Sequence, residues 1–127
     1  MPGINSSFGF VLLYVENPPA SAAFYVDLLG CAAIETSPTF ALLPLSEGVM
    51  LGLWLRRMVE PKVSAQPGAS EVAFIVDNAD AVDALHANWE KRGLVIAQAP
   101  TEMDFGHTFV ALDPDGHRLR VFVPGGT

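Results

Sequence analysis

The chain predicts an α+β fold, two βαβββ modules forming a cupped mixed sheet with the helices outside, and three observations predict it. The chain repeats itself: Phe10-Val-Leu-Leu-Tyr-Val-Glu-Asn17 matches Glu71-Val-Ala-Phe-Ile-Val-Asp-Asn78 at a constant offset of 61. Thr39-Phe40-Ala-Leu-Leu43 likewise matches Thr108-Phe109-Val-Ala-Leu112, and Gly48-Val-Met-Leu-Gly-Leu-Trp54 matches Gly116-His-Arg-Leu-Arg-Val-Phe122. Each half also opens on a short apolar, β-branched run that ends in an acidic residue and Asn before a helical pattern. Finally, glycine closes both helical patterns (Gly30, Gly93) and both tight turns (Gly48, Gly116).

The elements follow in order. Phe8–Val15 reads as a strand covered on both faces. Asn17-Pro18 is an N-cap followed by proline at the first helical position, and the helix runs to about Leu29. Ala22, Tyr25, Val26 and Leu29 share one face of it, and Gly30 supplies the left-handed cap. Strands are expected at Ala32–Glu35, Thr39–Leu45 and Val49–Arg56, with a turn at Ser46-Glu-Gly48. In the second half the strand is Glu71–Val76, and Asn78 caps a helix reaching about Arg92, with Val82, Leu85 and Trp89 as its buried stripe. Gly93 ends that helix. Strands at Leu94–Ala97, His107–Leu112 and His117–Phe122 follow, the last two joined by the turn Asp113-Pro-Asp-Gly116. The unpatterned Met58–Ser70 is a hinge between module one (8–57) and module two (71–124). The whole of 1–127 is thus one domain.

Composition narrows the function classes. Half the residues are hydrophobic and the mean hydropathy is +0.34, which points to a buried homodimer interface. The hinge leaves domain exchange between protomers open. The uncharged apolar stretch Phe8–Val15 is far short of the ~20 residues of a membrane span. The N-terminus lacks the basic and apolar regions of a signal peptide, so a cytoplasmic protein is expected. The net charge is −7, with no Lys/Arg cluster larger than a pair such as Arg56-Arg57. A nucleic-acid partner is disfavoured, because phosphates require a basic face. The single Cys31 reads as a reduced structural thiol.

The repeated modules, the acidic-Asn pair closing each first strand, and Asp113-Pro-Asp-Gly-His-Arg-Leu-Arg-Val-Phe122 together resemble the vicinal oxygen chelate superfamily. That group includes glyoxalase I, extradiol dioxygenases, and the fosfomycin- and bleomycin-resistance proteins. Ser37-Pro-Thr-Phe40, Met50-Leu-Gly-Leu-Trp54 and Asp104-Phe-Gly-His-Thr-Phe-Val-Ala-Leu112 are similar to its phenazine-resistance branch, which binds no metal and sequesters a planar aromatic antibiotic. The resemblance implies a divalent metal, in the enzymes of the superfamily, at four positions that map here onto Phe10, Gly52, Glu71 and Arg120. Phenylalanine and glycine offer no lone pair, and arginine is a fixed cation. A lone Glu71 does not hold a catalytic metal. The expectation is therefore no metal, no cofactor and no catalytic residue. A metal-dependent lyase or dioxygenase is the alternative.

Strand alternation places Phe10, Leu12 and Tyr14 on the concave side, with Gly52 and Trp54, Glu71, Ala73 and Ile75, and Arg118, Arg120 and Phe122. An aromatic concavity with a few charges suits a small planar ligand. Trp54 is the first candidate contact, since an indole stacks on a ring. Gly52 suggests a close approach to the backbone. Glu71 and Arg120 either pair with each other or meet ligand charges. Phe40 and Phe105 stand at the expected rim, and His107 near the expected mouth. The function expected is sequestration of a planar aromatic compound, as in antibiotic resistance.

Overall fold

The computed structural model describes residues 3, 4 and 6–125. It divides into two compact units, 1–64 and 65–127, parting within the segment between the modules. Unit one contains β1 (Phe10–Val15), α1 (Pro18–Leu29), β2 (Glu35–Thr36), β3 (Phe40–Ser46) and β4 (Val49–Leu55), then a single 3₁₀ turn at Arg56–Met58. Unit two contains β5 (Glu71–Ile75), α2 (Ala79–Lys91), β6 (Val95–Met103), β7 (Gly106–Leu112) and β8 (Arg118–Pro124). Each unit has its own four-stranded mixed sheet, ordered β1-β4-β3-β2 and β5-β8-β7-β6. The first strand of each runs parallel to the last, and the other neighbours are antiparallel. The internal repeat is thus a repeat of topology. Among the described residues no helix is long and apolar enough to cross a membrane.

Local chemistry explains the helices. The side chain of Asn17 accepts the Ala20 N–H at 3.0 Å, and that of Asn78 accepts the Ala81 N–H at 2.8 Å. Each such cap stabilises its helix by about 1 kcal/mol. Gly30 ends α1 with φ +69 and returns its N–H to Val26. In unit one Tyr25 and Ala22 of α1 pack onto Leu13, Val15, Ala41, Leu43, Leu51 and Leu53, all buried. In unit two Val82 and Trp89 of α2 cover Phe109, Ala111, Leu119 and Val121. Leu85, expected in that stripe, is half-buried, and His86 packs edge-on against Phe109 instead.

Several boundaries differ from the sequence reading. β1 starts at Phe10, and Phe8 is exposed, because β4 offers a partner only from Val49 onward. The second strand of the first module is two residues, Glu35–Thr36. Its counterpart β6 is far longer than expected and ends at Met103, not Ala97. Arg56 leaves the sheet for the 3₁₀ turn.

Candidate functional site

Alternation is obeyed in both sheets, so the residues of one face can be assembled unit by unit. In unit one Leu13 and Val15 face α1, which turns Phe10, Leu12 and Tyr14 to the open side. The parallel register sets Phe10 beside Met50, Leu12 beside Gly52 and Tyr14 beside Trp54. β3 adds Phe40 beside Trp54 and Leu42 beside Gly52. Phe10 and Leu12 are 52% and 45% exposed within the chain, an unusual outlay of apolar surface. Tyr14 and Trp54 meet edge to face with centroids 6.2 Å apart. One aromatic edge therefore props the other, while Trp54 stays only half-buried. Phe10, Tyr14, Phe40, Gly52 and Trp54 thus share a single face.

Gly52 has a different explanation from the one its position suggested. A Cβ there would lie 2.5 Å from Leu12 Cδ2 and 3.0 Å from Phe40 Cζ. The backbone is approached by the chain's own side chains. Gly52 lets Leu12 and Phe40 close over β4, and its role on the face is to shape it.

In unit two Glu71 and Arg120 meet. Arg120 Nε donates to Glu71 Oε1 at 2.7 Å and Nη2 to Oε2 at 2.9 Å, a bidentate pair. Nη1 donates to Thr108 Oγ1 at 3.1 Å and to Gln98 Oε1 at 3.3 Å. Thr108 is itself fully buried and donates to the Val121 carbonyl, so the guanidinium is held from behind. Arg118 adds a second cation 3.6 Å from Glu71. Hydrogen bonding from Arg120, ahead of the Coulombic pull of both arginines, keeps the Glu71 carboxyl below the ordinary carboxylate range. Phe105 lies 5.5 Å from the Arg120 guanidinium and packs edge-on against Phe122. Beside this network, Ala97, Gln98, Met103, Val110, Arg118 and Arg120 line a shallow pocket of about 350 Å³. Gln98 and Met103 went unrecognised in the sequence because β6 reads as polar and contains Pro100.

His107 does not join this group. It alternates with the buried Thr108 and faces α2, where Nε2 lies 2.8 Å from Asp83 Oδ1. Glu102 Oε1 lies 2.9 Å from Nδ1, but off the ring N–H direction, so Nδ1 has an ionic neighbour without a hydrogen bond. The Asp83 contact chiefly, with the charge of Glu102, raises the imidazole above its usual range. His107 thus ties α2 to β6.

Donor chemistry decides whether a metal fits the family positions. Phe10 and Gly52 provide no donor, both oxygens of Glu71 are engaged by Arg120, and Arg120 is a permanent cation. The residues present do not fit a divalent ion. Asp83 and Glu102 take opposite nitrogens of one ring and do not converge, and no group of three or more His, Cys, Asp or Glu among the described residues could hold one.

Comparison with known proteins places this geometry in a context. Residues 7–121 match the family model described as the Glyoxalase/Bleomycin resistance protein/Dioxygenase superfamily. The phenazine antibiotic resistance protein EhpR of Enterobacter agglomerans is 29% identical over 113 residues, covering 87% of this chain and 86% of that protein. A protein of Agrobacterium tumefaciens, solved by NMR in solution, is 50% identical with a TM-score of 0.87, over 95% of this chain and 99% of that one. A glyoxalase-related enzyme from Fulvimarina pelagi has a TM-score of 0.79 at 23% identity, over 92% and 87% of the two chains. That last likeness is one of fold.

Proposed function

This chain belongs to the glyoxalase/bleomycin resistance protein/dioxygenase superfamily, and we propose that within it the protein binds a planar aromatic small molecule without a metal, in the service of antibiotic resistance. One observation carries the reading. The open face of the unit-one sheet bears Phe10, Tyr14, Phe40 and a half-buried Trp54, a set with no His, Cys, Asp or Glu in which the Tyr14 phenol is the single side-chain oxygen. A polycycle laid against that indole gains about 0.5–1.5 kcal/mol beyond area burial. The likeness to a phenazine resistance protein supports the ligand class. Within unit two, Phe105 and the Glu71–Arg120 pair form a separate aromatic and charged group, in which the pair opens when a ligand charge takes one partner's place. A cytoplasmic setting, with Cys31 reduced, belongs to the same reading.

The test is a fluorescence titration with phenazine. The chain has two tryptophans, and Trp89 of α2 is buried against the sheet of unit two, so Trp54→Phe isolates the signal. Saturable quenching at micromolar ligand in the native protein, lost in Trp54→Phe, is expected. No quenching with phenazine or other planar tricyclics would sink the proposal.

A further inference from the structure

The cations of this acidic chain are unevenly placed. Of seven lysines and arginines, Arg118 and Arg120 are engaged with Glu71, and Lys91 and Arg92 close α2. Arg56, Arg57 and Lys62 line one pocket of about 300 Å³ in unit one with Glu16 and Val63. Three cations thus face one carboxylate in a molecule whose net charge is −7.

The fold brings them together for a definite reason. β1 and β4 are parallel and in register through Tyr14–Trp54 and Val15–Leu55, so Glu16 and Arg56 emerge side by side from adjacent strand ends. Leu55 is the last residue of β4 (φ −57, ψ 117), and Arg56 opens the 3₁₀ turn directly after it. Arg56 follows Trp54 by two residues, about 6–7 Å along the strand. The 3₁₀ turn then sets Arg57 at the rim. Val59, 3% exposed, pins that turn into the core and returns its N–H to Arg56, after which the chain brings back Lys62. Val63 gives the pocket an apolar wall. A basic pocket on an anchored turn, one strand step past an aromatic face, suits a ligand that is flat at one end and anionic at the other.

We propose that the Arg56–Arg57–Lys62 pocket takes the carboxylate or phosphate of a planar ligand lying against Trp54, which makes the ligand class a planar aromatic acid. This rests on the aromatic-face reading above. Guanidinium groups grip such anions with paired N–H donors, and lysine adds a mobile point charge.

The experiment compares phenazine with phenazine-1-carboxylate by isothermal titration calorimetry. The carboxylate should bind the native protein about tenfold more tightly, the scale of one charge-assisted contact near a surface. In Arg57→Ala/Lys62→Ala the ratio should fall to within about twofold. Lys91→Ala/Arg92→Ala removes the same charge at the end of α2 and should keep the tenfold ratio, which separates a local contact from the field of the whole molecule. Equal affinities in the native protein, or a ratio that survives Arg57→Ala/Lys62→Ala, would overturn the anion subsite alone. If neither probe binds, the aromatic-face reading falls and this subsite with it.

Discussion

At the scale of residues, Arg120 is heavily committed within the second unit. Its partners are Glu71, Thr108, Gln98 and Phe105. Arg120→Ala leaves the buried Thr108 hydroxyl without this donor and Glu71 without its bidentate partner. A loss of about 1–3 kcal/mol in urea unfolding is expected, with Arg120→Lys in between because an ammonium cannot grip both oxygens. An unchanged midpoint would contradict the network. The pH profile carries the same signature. Glu71 is lowered from 4.5, so its stabilisation is full above that value and is lost as pH falls below it through the folded-state pKa. Arg120→Ala should flatten that acid limb. Gly106 is a second constrained residue. With φ +141, a Cβ there would collide with the Val123 carbonyl, so the start of β7 and the end of β8 approach closely beside Phe105.

At the scale of elements, His107 joins α2 to β6 through Asp83 and Glu102. Its pKa is raised above 6.5, so the stabilisation is complete below 6.5 and disappears as pH rises through the folded-state value. Both carboxylates are exposed, which limits the effect to about 0.2–1 kcal/mol. His107→Gln should remove a shallow decline in thermal midpoint from pH 6 to 8, and an identical slope in both proteins would refute the clamp. The strands show what a sequence can convey. β1, β4, β7 and β8 were legible because their interior positions alternate against a helix-covered core, and both helices because Asn and Gly mark their ends. β6 was not: it is an edge strand like β1, but past Ala97 it lacks the apolar run that marks β1. Its sequence, Val-Ile-Ala-Gln-Ala-Pro-Thr-Glu-Met, answers to water on one side and tolerates a proline and two register shifts. His107 was misplaced for a related reason. A mouth-like motif, Asp104-Phe-Gly-His107, does not reveal strand parity until the start of β7 is known. The basic pocket escaped because its members come from two strand ends and a turn that no single period links.

At the scale of the whole molecule, the apolar surface exceeds what one chain can cover. Ile4, Phe8, Ile34 and Val95 are each more than half exposed, and half of the composition is hydrophobic. A homodimer is the expected answer, and light scattering at micromolar concentration should give twice the 13.6 kDa of the chain; a monomeric mass would refute it. The two units keep one topology, yet their open faces have diverged, one aromatic with a basic end and the other a paired acid and arginine. Divergence at Phe10, Gly52, Glu71 and Arg120, within a repeat that otherwise keeps its apolar core positions, is what sets the two open faces apart.

That central claim is tested most directly by titrating phenazine over Trp54 in protein stripped with a chelator, then repeating the titration after adding nickel, zinc, iron or manganese. The account predicts micromolar quenching in the stripped protein and the same affinity with each metal. Quenching that appears only when a metal is restored would contradict it.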